Sequence, residues 1–334
     1  MRLLKFIYLA AGLGLFAYVV MQLDMAEVAA GVLAVGWIGF AAVLALHGAA
    51  FAGDSIAWLL TVTKFPVTAQ WSWRFFVVRL AGEAFNYVVP AAGMGGEPVK
   101  ATLLNKHFGV DYPTGIASLV LTRTLNMLAL IGFLLIGFVF MILGVPLPGE
   151  IQMLAGIGLA VLTLGTVLLV LVPGFRVTSS IGVWMGRENL SVRFTRAIET
   201  VREMESRIAG FFVHFRARFW WALALGFVNW VMGIGEVYVV MLLVGAPVSF
   251  MDAWIIEAVA QMVRTATFFI PASLGAQEGA FVVITGAITG SPTAGLSMAL
   301  IRRMREVIWI GCGFAAAGLY ALRPENGRDI VAGD

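Results

Sequence analysis

Apolar residues along this chain gather into long runs, and proline and glycine clusters interrupt two of them. A helix rises 1.5 Å per residue, so about 20 apolar residues cross a bilayer core of about 30 Å. Runs of that length predict complete spans near 3–22, 37–62, 114–144, 151–172, 219–244 and 297–322. Two further apolar segments, 71–109 and 252–290, contain the interruptions and several ionisable residues. The stretch 1–22 has an early Arg2 and Lys5 but no small-residue cleavage site, so it reads as a retained span rather than a signal peptide.

Composition supports the same reading. Of 334 residues, 60% are hydrophobic and 12% charged, and mean hydropathy is +0.94. A soluble domain carries about 25% charged residues, so the whole of 1–334 is expected to be one transmembrane domain rather than a soluble enzyme. A single cysteine, Cys312, excludes an internal disulfide, and three scattered histidines supply no metal cluster. No metal or cofactor is expected. The net charge of +3 is that of cytoplasmic loops and needs no nucleic-acid partner.

Lysine and arginine in short loops set orientation. The segment 174–218 holds eight arginines, from Arg176 to Arg218, and belongs inside. The loops around 23–36, 145–150, 245–252 and 290–296 hold no lysine or arginine and belong outside. Both termini then lie in the cytoplasm. Segment 71–109 must enter and leave from inside, and 252–290 from outside, so each is predicted to be a re-entrant hairpin. The expected fold is an all-α polytopic membrane protein with about six full spans and two broken hairpins.

An offset of 181 residues lays WSWRFFVVRLAGEAFNYVVPAAGMGGE (71–97) over DAWIIEAVAQMVRTATFFIPASLGAQE (252–278). Five positions match: Trp73 with Trp254, Val78 with Val259, Pro90 with Pro271, Ala91 with Ala272, and Glu97 with Glu278. Repeat 1 is expected over 37–144 and repeat 2 over 219–322, entering from opposite faces. Paired Gly/Pro-interrupted segments in inverted halves mark a transporter's binding site. Backbone that leaves the helix at membrane depth is tolerated only beside protein or a water-filled cavity. The breaks are predicted at Pro90, Gly95, Gly96, Pro271 and Gly275.

Charge at that depth costs at least about 2.5–3.5 kcal/mol per residue, yet this chain has many such groups. Arg79, Glu83 and Asn86 share one helix face by spacing, and Glu257, Gln261 and Arg264 repeat the arrangement. The candidate substrate-binding residues are Glu83, Asn86, Glu97, Lys100, Arg123, Asn126, Glu257, Gln261, Arg264, Glu278 and Arg303. The bland alternative is that they pair to hold the hairpins together. Asp54 and Glu236 are the weakest candidates, and His47, His107 and His214 read as structural. Within 174–218, residues 190–215 put Leu190, Phe194, Ile198, Ile208 and Phe211 on one stripe opposite Arg and Glu, predicting an amphipathic helix on anionic cytoplasmic lipid. GMGGE is no nucleotide loop, having no strand before it and no GK[ST] after it.

The runs GEAFNYVVPAAGMGGEPVKATLL (82–104), LTRTLN around Arg123, and IPASLGAQEG (270–279) resemble the lysylphosphatidylglycerol synthase transmembrane-region family of flippase-like proteins. Within it, the closest likeness is to a hopanoid-biosynthesis-associated branch. The resemblance implies a lipid-handling protein of the bacterial inner membrane. By position it carries the family's polar motif onto Glu83, Asn86, Pro90, Gly95, Gly96, Glu97 and Arg123, and a second onto Pro271, Gly275 and Glu278. Bifunctional members add a soluble aminoacyl-transferase domain; none follows here up to Asp334, so lipid aminoacylation is not expected. The leading expectation is a flippase for a polar-headed phospholipid or hopanoid-type lipid, with self-association into a homo-oligomer left open. The alternatives are an ion-coupled solute transporter and a membrane-embedded lipid-modifying enzyme.

Overall fold

The computed structural model describes residues 13–88, 94–144, 149–174, 206, 208 and 210–321. Among them every regular element is helical and none is a strand. Residues 3–12 of the first span expected over 3–22, the break at Pro90 and most of the arginine-rich segment 174–218 lie outside the described residues.

Helix α1 occupies residues 13–21. Asp24 then caps α2 (Met25–Thr61), its carboxylate accepting from the Ala26 N–H at 2.8 Å. The outer loop expected over 23–36 is therefore helical from Met25 onward, because this cap starts a helix in a run of Ala and Val. Gly36, at φ 59°, supplies the bend that separates that short piece from the span over 37–61.

The first interrupted segment is α3 (Ala69–Val88), a break, and α4 (Glu97–Phe108). Helices α5 (Tyr112–Gly144), α6 (Gly149–Gly174) and α7 (Arg216–Val244) follow. The second interrupted segment is α8 (Phe250–Ala266), a 3₁₀ turn (Pro271–Ser273) and α9 (Ala276–Thr289); α10 (Pro292–Ala321) ends the described chain. The last helix starts at Pro292 rather than near 297, so Arg302, Arg303, Arg305 and Glu306 sit in its interior. Helix ends recur at the 181-residue offset: α3 and α8 begin at 69 and 250, and α4 and α9 end at 108 and 289.

Among the described residues three helices, α2, α5 and α7, are long and apolar enough to cross a membrane. Helices α4, α8 and α9 have 12, 17 and 14 residues, short of the roughly 20 that a full crossing takes. Each helix–break–helix element has its own apolar anchor. Phe75, Leu104, Trp58 and Leu59, all essentially inaccessible, fasten α3 and α4 to α2. Ile255, Ile256 and Phe281 join a larger core with Phe133, Val237 and Met241, fastening α8 and α9 to α5 and α7. At about 25 cal/mol per Å² of apolar surface, these contacts hold the short helices where length alone would not. The end of the amphipathic stripe departs from expectation: Ile208 and Phe211 are buried against Leu60, Leu121 and Ala222 rather than free to face lipid.

Candidate functional site

The first break is closed by side chains on both sides of it. Asn86 on α3 accepts the Gly96 N–H through Oδ1 at 2.7 Å and donates through Nδ2 to Glu83 at 3.0 Å. Lys100 on α4 donates to Glu83 at 2.7 Å and to Glu97 at 3.1 Å. Its ammonium is therefore shared between two carboxylates while its stem lies against Gly82. A Cβ at Gly96 would overlap the Gly82 carbonyl, so the α3–α4 crossing requires glycine there. Gly95 lies in the turn just before α4.

The second break carries backbone strain. Ala272 and Ser273 adopt φ 52° and 50°, a region costly for residues with a Cβ, and Gly275 follows at φ 78°. Arg303 on α10 over-determines it, donating to the Ala272 carbonyl at 3.0 Å, to Glu278, and to Glu306 at 2.7 Å. Glu278 in turn caps α9, accepting the Gly275 N–H at 2.7 Å. Pro271 opens the turn, where its ring fixes φ and it has no N–H to satisfy.

The helices that lead into the two breaks touch at their ends. Arg264, just before the second break, donates to Tyr87 Oη, just before the first, at 3.3 Å, and to Glu306 at 3.5 Å. One member of each pair here keeps partial contact with solvent, Arg264 32%, Glu83 and Glu97 23% each, and Arg303 19%, while their partners Lys100, Glu278 and Glu306 are buried.

Other predicted residues lie elsewhere. Glu257 and Gln261 belong to a separate buried cluster: Arg302 forks onto Glu257 at 2.7 and 3.2 Å, and Gln261 donates to Glu257 at 2.7 Å. Asn126 donates to Asp54 at 2.8 Å, and Asp54 also pairs with Arg79. Arg123, three residues earlier, is exposed and has no bonded partner among the described residues. Spacing puts Arg123 with Asn126; the helix instead turns them to different surroundings. Tyr87 and Glu306 are the gains. Glu306 is visible in the sequence as a charge at depth, whereas nothing there marks Tyr87.

A cavity of about 620 Å³ opens away from these charges, between the first turns of α2 and the ends of α7 and α9, with Glu27, Asp252, Thr293 and Ser297 in its wall. None of the charged residues at the breaks belongs to its wall.

Long apolar helices around interrupted, charged ones define a multi-pass helical membrane protein. The chain belongs to the family described as the lysylphosphatidylglycerol synthase TM region, whose model matches residues 5–312. No curated protein and no solved structure matches it.

Proposed function

We propose that this protein moves a polar-headed lipid, a phospholipid or a hopanoid-type lipid, between the leaflets of the bacterial inner membrane without altering it chemically. The observation that carries the reading is the contact of Arg264 with Tyr87 between the helices that lead into the two breaks, with the partly exposed Glu83 and Glu97 flanking the first break and Arg303 bonded to the second. Membership of a family named for a lipid-related membrane region supports the substrate class.

In this reading the two helix–break–helix elements are re-entrant hairpins in an inverted repeat, with six full spans around them and both termini in the cytoplasm. The short α4, α8 and α9 and the recurring helix ends support it. The head group enters a cleft at the breaks while its apolar body stays in lipid. Each cation there already faces a carboxylate, Lys100 with Glu83 and Glu97, Arg303 with Glu278 and Glu306. A polar head exchanges hydrogen bonds with these pairs and meets no unpaired charge, which keeps the cleft from being prohibitively costly between transport events. Rocking one repeat against the other then changes which side the cleft faces.

The test is a leaflet-translocation assay on purified protein in liposomes with head-group-labelled phospholipids and a hopanoid. Protein-dependent flipping that is lost in Glu97→Gln supports the reading. Absence of flipping for every lipid, with lipid masses unchanged, overturns it in favour of solute transport; a changed lipid mass overturns it in favour of an enzyme.

A further inference from the structure

A second group of charges lies apart from the breaks, where α2, α7, α8 and α10 meet. Glu236 on α7 pairs with Arg305 and, at 3.5 Å, with Arg302, both on α10. Arg302 also pairs with Glu257 on α8 at 2.7 Å. These four residues carry two negative and two positive charges, so the group is balanced as it stands. His47 on α2 faces it, with Nδ1 3.6 Å from Glu236. Its ring lies edge-on to Trp309 at 4.9 Å and beside Phe51, whose face holds the Arg79 guanidinium at 5.2 Å; Arg79 pairs in turn with Asp54.

Two features separate His47 from its neighbours. Its side chain is 22% exposed, whereas those of Glu236, Glu257 and Arg302 are at most 3% exposed. It is also the member whose ordinary titration falls between pH 5 and 8. It sits near the middle of the 37–61 helix, where an ionisable group without function is hard to account for.

We infer that His47 and Glu236 form a proton-binding site, with the proton as the ion coupled to movement of the helices. The inference rests on the transport reading above for its consequence, though not for the site itself. A proton taken up on the free ring nitrogen lone pair turns the imidazole into a cation. The balanced group then carries one positive charge too many, and the imidazolium competes with Arg302 and Arg305 for Glu236. Drawing Glu236 toward α2 loosens the tie between α7 and α10, and α10 is the helix that also holds the second break through Arg303.

The chain has three histidines, so ring-labelled histidine NMR in nanodiscs gives three signals, and His47→Gln assigns the one of interest. The expected result, over a scan from about pH 4 to 9, is a His47 signal that responds to pH and moves when Glu236→Gln is introduced. In proteoliposomes, an imposed pH gradient is expected to change wild-type lipid translocation several-fold and to leave His47→Gln unresponsive. A His47 signal that is flat across that range, or a gradient response that survives His47→Gln, overturns the inference. If no lipid moves in any sample while His47 still titrates, the transport reading fails and the proton site stands. If His47→Gln does not fold, His47→Asn is used for the same comparison.

Discussion

Arg264 and Tyr87 are 177 residues apart in the chain and meet at 3.3 Å, one donating its guanidinium N–H to the other's phenol oxygen. Each stands at the end of the helix that leads into a break. Their contact ties α3 to α8, the two helices that lead into the interruptions.

Tyr87→Phe removes that tie while keeping the ring under Arg264, whose guanidinium carbon lies 6.0 Å from the ring centre. A hydrogen bond to a charged group is worth about 1.5–3 kcal/mol, so the relative population of the two arrangements of the halves shifts by roughly tenfold or more. The expected outcome is normal expression and folding with a translocation rate changed several-fold in liposomes. An unchanged rate would show that the halves do not separate at this contact.

The α3–α4 crossing gives a stability prediction. Gly96→Ala places a methyl into the Gly82 carbonyl and is expected to lower stability by about 1–3 kcal/mol. Gly311→Ala is the control: nothing lies within 4 Å of where its methyl would stand, and alanine suits a helix interior better. Thermal unfolding in detergent should therefore rank Gly96→Ala below wild type and Gly311→Ala at or above it.

Much of this arrangement is legible in the chain. Apolar run lengths locate α2 beyond its bend, α5 and α7, because a lipid-facing helix must be apolar over its whole length. Spacing also brings Glu83 and Asn86 together, since residues three apart on a helix are neighbours, and turn residues mark both breaks. What spacing lacks is rotation about the helix axis. It assigns Arg123 and Asn126 to one face, and it groups Glu257 with Arg264, although Glu257 is buried with Arg302. The helix at 25–35 escapes such a reading because a lack of lysine and arginine reports the side of the membrane and says nothing about backbone conformation.

Buried pairs differ from the partly exposed ones in what their removal should do. Arg302→Leu leaves Glu257 without its fork and Glu236 with one cation fewer, and is expected to destabilise by about 3–5 kcal/mol. Arg302→Leu together with Glu257→Leu removes the uncompensated charge and should regain part of that loss. A double variant no more stable than the single one, measured by thermal unfolding, would mean that Glu257 is not the principal partner.

Arg123 allows the cleft to be separated from the membrane surface. Helix α5 has 33 residues and is about 50 Å long, well beyond a core of about 30 Å. Counting about 20 residues back from its end at Gly144 puts the boundary of the core near Leu125. In the proposed topology the exposed Arg123 then stands at head-group level on the arginine-rich side. An arginine there reaches lipid phosphate from outside the cleft. Arg123→Ala is therefore expected to slow translocation a few-fold in vesicles rich in anionic lipid and to have little effect in neutral ones. Glu97→Gln, which takes a charge from the Lys100 pair inside the cleft, should abolish translocation in both. Equal loss in both variants, whatever the vesicle, would place Arg123 at the substrate and move the site toward α5.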